Sequence, residues 1–195
     1  MTEAGIPRDL ARRVRLVIFD VDGVLTDAGV YLGHTGSGEP IELKRFDIVD
    51  GLGLHLLVYA GLRVGIVSGR VSTANRMRAE ELGLPYHEGP GGYKLEAAEA
   101  LLADENVGWD EVAVLCDDLP DMPLLKRSLL PVAVANAVPE VHALARWRTS
   151  KHGGRGAARE FCDALLQARG DYERALERYT GERDSAARDT EAAAR

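Results

Sequence analysis

Five acidic residues fall in two short clusters: Asp20 and Asp22 in DVDGVLTD, and Asp117, Asp118 and Asp121 in CDDLPD. Between them lie a hydroxyl station, Ser68-Gly69-Arg70, and a lysine, Lys94. Carboxylates gathered in one cleft repel each other unless a cation joins them. Mg2+ takes oxygen ligands, keeps several waters and commonly bridges carboxylate to phosphate. A carboxylate can attack phosphorus and carry the phosphoryl group. A second carboxylate two residues on can protonate the leaving oxygen and then deprotonate a water. A serine hydroxyl with the following N–H can hold a phosphate oxygen, and a lysine offers fixed positive charge to the equatorial oxygens. The chemistry implied is phosphoryl transfer with a hard cation. Taken singly, each piece has a plainer reading: a loop, a helix cap or a solvated lysine. All of them standing in order at strand ends or helix starts is what favours a site.

The elements that position these residues follow from the apolar runs. Val14–Phe19 (VRLVIF) is short, β-branched and ends on Asp20, so it reads as a buried parallel strand. Similar runs recur at Leu62–Val67, Val112–Leu115 and Leu130–Ala135. Helix-length segments lie between them at Leu52–Ala60, Val71–Leu82, Lys94–Leu102 and Pro120–Arg127, with Gly61, Gly83 and Gly108 at the expected stops. Alternating strands and helices predict an α/β fold with a doubly wound, Rossmann-like, mostly parallel sheet. Ligands bind such sheets beyond the carboxyl ends of the strands, where the acidic clusters fall. One segment breaks the alternation. Residues 29–46, folded about HTGSGEP, predict an inserted β-hairpin whose Val30, Leu32, Ile41 and Leu43 lack neighbours to bury them. An edge of this kind invites association, so a homo-oligomer is expected.

The 195 residues suffice for one well-cored domain. Residues 1–13 read as a leader, 14–169 as the core domain, and 170–195 as a charged tail, partly disordered, whose first part could extend a helix. The net charge of −7 disfavours nucleic acid, which requires a basic face, and leaves a small anionic ligand open. No apolar run reaches transmembrane length and the start has no apolar signal region, so no membrane partner and a cytoplasmic location are expected. Cys116 and Cys162 form no CxxC pair, and nothing suggests a disulfide framework.

The order DxDG, a hydroxyl after a later strand, a lysine, then a DD motif resembles the haloacid-dehalogenase superfamily. FDVDGVLTD, KRFDIVDG, IVSGR, GPGGYK, CDDLPDMP, VAVANA and GGRGAARE, over residues 14–168, look like the 3-deoxy-D-manno-octulosonate 8-phosphate phosphatase family. That resemblance implies a fold with no separate cap domain and a tetramer built from packed hairpins. Each active site would be completed by a neighbouring chain. It implies Asp20 as nucleophile, Asp22 as general acid/base, and Mg2+ on Asp20, Asp117 and the Asp22 backbone carbonyl. Ser68, Gly69 and Lys94 would bind phosphate, with Asp118 and Asp121 supporting. Asp47, Ile48, Val49, Asp50, Gly51, Arg70, Arg78 and Arg155 would lie at the substrate, Arg155 in a segment that closes over the site. Bidentate arginines suit a substrate with phosphate at one end and carboxylate at the other. Arg70 and Arg78, eight apart, would share a side if they stood on one helix.

Three departures stand out. Cys116 replaces the glycine that usually precedes the paired aspartates, and Ser68 replaces a threonine. His55 stands where an arginine is common. The His55 change keeps a nine-carbon acid phosphate of the sialic acid type as an alternative to the eight-carbon substrate. A third reading, of another class, is a non-catalytic oligomerisation scaffold, which ought to have lost Asp20 or Asp22.

Overall fold

The computed structural model describes residues 5–193, with side chains described through residue 185. In chain order the elements are α1 (Arg8–Arg13), β1 (Leu16–Phe19), β2 (Tyr31–His34), β3 (Pro40–Leu43), α2 (Ile48–Tyr59), β4 (Arg63–Ser68), α3 (Thr73–Leu82), β5 (Tyr86–Glu88), α4 (Lys94–Glu105), β6 (Val112–Cys116), α5 (Met122–Leu125), β7 (Leu130–Ala133), α6 (Pro139–Leu144), β8 (Trp147–Arg148), α7 (Ala157–Arg169) and α8 (Tyr172–Ala193).

The apolar runs do become the central strands. Every residue of β1, β6 and β7 is buried, as a strand covered on both faces requires. Six strands form a sheet in the order β5-β4-β1-β6-β7-β8, with every pair parallel. β1 is therefore the switch point, with β4 on one side and β6 on the other. Right-handed crossovers place α2 and α3 on one face of the sheet and α4 and α5 on the other. α7 packs on α2, and α5 packs on α4 and α6. Each fully buried Leu, Ile, Val or Phe of this core contributes about 1.5–3 kcal/mol over exposure.

β5 and β8 were not legible as apolar runs: one is YHE, the other only two residues long. Of residues 1–13, expected as a leader, Arg8–Arg13 form α1, and Arg169 donates from Nη1 to the carbonyls of Ala11 and Val14 at 2.7 and 2.8 Å. Beyond Gly170, where fraying is expected, the backbone is helical to Ala193. α8 leans on α2 through Tyr59, whose hydroxyl lies 2.6 Å from Glu182 and whose ring meets Tyr179 edge-on at 5.6 Å. Residues 194–195 and the side chains after 185, where the expected disorder of the tail also falls, lie outside the described residues. No helix among the described residues is long and apolar enough to cross a membrane.

The insertion is an antiparallel hairpin of β2 and β3, pairing Tyr31 with Leu43 and Leu32 with Glu42. Of the residues expected to lack neighbours, Leu32, Ile41 and Leu43 are exposed and Val30, just before β2, is half-buried; Tyr31, which the pattern did not single out, is exposed as well.

Candidate active site

The carboxyl ends of β4, β1 and β6 lie side by side and open into a cleft of about 550 Å³. Asp20, Asp22, Gly69, Arg70, Lys94, Asp117, Asp118 and Asp121 all line it. Eight residues expected at the site from four separate stretches of sequence are thus brought together by the parallel sheet.

At its floor, Lys94 Nζ lies 2.5 Å from Asp20 Oδ1 and 2.6 Å from Asp121 Oδ1, with all three side chains buried. Lys94 reaches there because it opens α4 and points back toward the strand ends. Burial works against its charge, but Asp20 and Asp121 outweigh burial and raise its pKa, so it stays protonated. Asp117 is pushed up to about 8, by burial first and then by the charges of Asp20 and Asp121. Asp121 is pushed up to about 7, by burial and Asp20 against the opposing pull of Lys94.

One ammonium does not balance three carboxylates. Ligand oxygens of Asp20, Asp117 and Asp121 lie within 4.8 Å of one another, and Asp117 Oδ1 and Asp121 Oδ2 are buried without a hydrogen-bond partner. Buried acceptors without partners are costly, and an all-oxygen anionic donor set fits a hard divalent cation. Asp121, expected to support Lys94 or metal-bound water, pairs with Lys94 and belongs to the group of carboxylates that could hold a cation.

After β1 the chain makes one wide turn, Val21–Leu25, held by Thr26. Thr26 Oγ1 donates to the Val21 carbonyl at 3.1 Å and accepts from Gly23 N at 3.3 Å. Gly23 has φ +95, and a Cβ there would overlap the Asp117 carboxylate. Glycine thus lets the β1 turn and the β6 carboxylate share one place. Ser68 Oγ accepts from Arg70 N at 3.2 Å and from Asn75 Nδ2 at 3.0 Å. Asp118 caps the next turn by accepting from Leu119 N at 2.7 Å. Arg70 reaches Glu42 at 3.2 Å, but α3 begins only at Thr73, so Arg70 and Arg78 do not share a helix.

The other expected substrate contacts stand outside this cleft. Asp47 caps α2 by accepting from Val49 N at 3.1 Å, and Ile48 and Val49 are exposed. Asp50 is buried and accepts from Gly156 N and Arg159 N, which ties α2 to the start of α7; burial raises its pKa. Arg78 packs at the N-terminal end of α2 against Gly51. It pairs with Glu81 at 2.8 Å and lies 5.8 Å from the Phe46 ring centroid. Arg155 points to Asp27 at 3.7 Å, while its neighbours Gly153 and Gly154 pack on the Gly23–Thr26 backbone. The GGRG segment braces the catalytic turn from behind and does not close over the cleft of its own chain. His55 is part-buried on α2 and is absent from the cleft lining. Burial, Arg183 and Arg78 lower its pKa. The Cys116 thiol is fully buried and pushed well up by that burial, so it is packed and inert.

Two residues beside the site, Lys44 and Asn75, were not among those singled out from the sequence. Lys44, at the base of the hairpin, is wholly buried and lies 2.6 Å from Asp22 Oδ1. Asn75, also buried, joins it at 2.9 Å. Lys44 opens the KRFDIVDG motif, but no spacing rule connects residue 44 with residue 22. A larger cavity of about 660 Å³ lies beside β8 and α7, but its one carboxylate, Glu160, is taken by Ser150 and Lys151.

Residues 89–161 match the haloacid dehalogenase-like hydrolase family. The chain is 39% identical over 158 residues to the 3-deoxy-D-manno-octulosonate 8-phosphate phosphatase KdsC of Yersinia pestis, covering 81% of this chain and 82% of that one. The Yersinia pestis crystal structure of that phosphatase superposes with a TM-score of 0.78 at 39% identity, covering 85% of this chain and 88% of that one. The Moraxella catarrhalis phosphatase of the same name, solved in complex with magnesium ion, phosphate ion and KDO, superposes with a TM-score of 0.79. It is 31% identical and the match covers 88% of this chain and 97% of that one. With the fold, the cleft and this similarity over most of its length in agreement, the chain belongs to the 3-deoxy-D-manno-octulosonate 8-phosphate phosphatase family of haloacid dehalogenase-like hydrolases.

Proposed function

We propose that the protein is a Mg2+-dependent phosphatase that hydrolyses 3-deoxy-D-manno-octulosonate 8-phosphate by way of a phosphorylated Asp20. The observation that carries this reading is the buried cluster of Asp20, Lys94, Asp117 and Asp121, with two carboxylate oxygens left without partners at the switch point of the sheet. Asp20, Asp117 and the Asp22 carbonyl would hold Mg2+, which when bound neutralises charge between nucleophile and phosphate. Asp20 Oδ attacks phosphorus as the ester P–O bond breaks, and Asp22 gives its proton to the departing alkoxide. Asp22 then takes a proton from water, whose oxygen attacks phosphorus and releases Asp20 and inorganic phosphate. Ser68, the backbone at Gly69, and Lys94 hold the phosphoryl oxygens. Asp121 fixes Lys94, and Asp118 shapes the loop at the rim.

Arg70 is the arginine placed to meet the sugar acid carboxylate within the chain. Arg78, Arg155 and residues 47–51 lie outside this cleft, so a substrate contact from them belongs to a site completed by a neighbouring copy. The exposed hairpin residues Tyr31, Leu32, Ile41 and Leu43 support a homo-oligomer, for which a tetramer is the expected form. The composition fits a cytoplasmic enzyme. A scaffold has no use for a buried, mutually repelling acid cluster, and the retained machinery speaks against that alternative. The test is phosphate release from eight-carbon and nine-carbon sugar acid phosphates, with Mg2+ and with EDTA. Preferential turnover of the eight-carbon ester supports the reading; preference for the nine-carbon ester, or none for either, overturns it.

A further inference from the structure

The geometry points to Lys44 as a positioning residue that sets the Asp22 carboxylate for proton transfer. This rests on the reading of Asp22 as acid/base. The Lys44 side chain has no solvent exposure. Its Nζ donates to Asp22 Oδ1 at 2.6 Å and to Asn75 Oδ1 at 2.9 Å, with Glu42 Oε1 at 3.6 Å. Asn75 Nδ2 then donates to Ser68 Oγ at 3.0 Å. One ammonium thus ties the acid after β1 to the phosphate-holding hydroxyl after β4.

Burying a lysine costs several kcal/mol unless it is paired and hydrogen-bonded. The plainer role would be to fasten the hairpin. Glu42, on β3 two residues before Lys44, already does that by accepting from the Ser72 hydroxyl and from Arg70. A second fastening that ends on Asp22 acts on the chemistry. An Asp22 with Oδ1 committed to Lys44 has one oxygen, Oδ2, left to carry the proton to the leaving alkoxide. The carboxyl group is then fixed in rotation, which proton transfer in a short-lived transition state demands. The base of the hairpin thereby holds the acid/base in register.

The experiment compares two esters in Lys44→Met, which keeps length and burial but not charge. The sugar acid phosphate has an alkoxide leaving group that needs a proton, and 2,4-dinitrophenyl phosphate has one that does not. For Lys44→Met, kcat on the sugar acid phosphate is expected to fall about 10- to 100-fold with KM little changed. The single-turnover burst of dinitrophenolate stays near the wild-type rate. In an Asp22→Asn background, Lys44→Met costs less than about twofold, because its partner's role is already gone. Equal loss on both esters, or losses that multiply in the double variant, would overturn the inference and leave Lys44 a structural residue. Thermal melts accompany each variant, and Lys44→Gln is read by the same criteria if Lys44→Met does not fold. Failure of the phosphatase reading itself is seen separately, as a wild-type protein inactive on both esters or an Asp20→Asn variant that still turns over.

Discussion

Gly23 and Asp117 occupy one place: the backbone after β1 runs so close to the carboxylate after β6 that any Cβ at residue 23 would overlap it. The left-handed φ of +95 at Gly23 adds a second reason for glycine there. Gly23→Ala is expected to lower stability by about 1–3 kcal/mol from backbone strain alone. It is also expected to cut kcat/KM about 100-fold, since a carboxylate displaced by an ångström no longer meets its partners. Melting and phosphate release measured together check this. A variant with wild-type activity would mean that Asp117 has no fixed place in the chemistry.

Asp20→Asn keeps the shape of the nucleophile and removes its charge. Turnover is expected to vanish, with the circular dichroism spectrum retained. Lys94→Ala is expected to cost about 10- to 100-fold on every phosphate ester, because each presents the same phosphoryl group to this ammonium. An Asp20→Asn protein keeping more than a few per cent of activity would show that the nucleophile is elsewhere.

The acid cluster makes the metal-free protein pH-sensitive. Asp117 and Asp121 are raised to about 8 and about 7 in the folded state, against about 3.9 in an unfolded chain. Between those limits the folded state binds more protons. Its stability therefore falls as pH rises from about 4 toward about 8, and levels off above. Mg2+ binds the deprotonated carboxylates, so it restores most where most was lost. The gain in melting temperature on adding Mg2+ after EDTA is expected to be larger near pH 8 than near pH 6. A gain independent of pH would place the cation away from these carboxylates.

The hairpin presents exposed apolar side chains on β2 and β3. Charging them, with Leu32→Glu and Leu43→Glu together, is expected to lower the oligomeric state seen by light scattering while the monomer keeps its circular dichroism spectrum. A wild-type protein that is monomeric at micromolar concentration, or a double variant that stays assembled, would assign the apolar strands another role.

How much of this was written in the sequence follows from the range of the interactions. β1, β4, β6 and β7 were legible because burial on both faces demands near-continuous apolar runs, and the residues ending those runs had to share an edge of the sheet. Asp20 and Asp117 reach the cleft for that reason, Lys94 reaches it from the start of α4, and Ser68 at the end of β4 is buried just beneath it. β5 and β8 are too short and too polar to leave a pattern. Lys44 and Asn75 act across the tertiary structure, from a hairpin and a helix, and nothing local marks a lysine that will be buried. Arg78 and Arg155 were expected at the substrate through resemblance. Within the chain Arg78 pairs with Glu81, near the Phe46 ring, and Arg155 with Asp27.

We propose that substrate selection falls first on Arg70. It lines the cleft, is half exposed, and is held at 3.2 Å by Glu42 from the hairpin. That pairing orients the guanidinium without consuming its five donors, so it can still take a carboxylate in bidentate fashion. A contact with the far end of the substrate is made alike in ground and transition states, and its loss raises KM while leaving kcat nearly unaltered. Arg70→Ala is expected to raise KM for the sugar acid phosphate about tenfold or more. It is expected to leave p-nitrophenyl phosphate, which has no distal carboxylate, within about twofold of wild type. Glu42→Gln is expected to give a smaller shift in the same direction, because it loosens Arg70 without removing it. If Arg70→Ala harms both esters alike, Arg70 serves the phosphoryl group. If it harms neither, the carboxylate is read by residues of a neighbouring copy, and Arg78 is the one to test in the assembled protein.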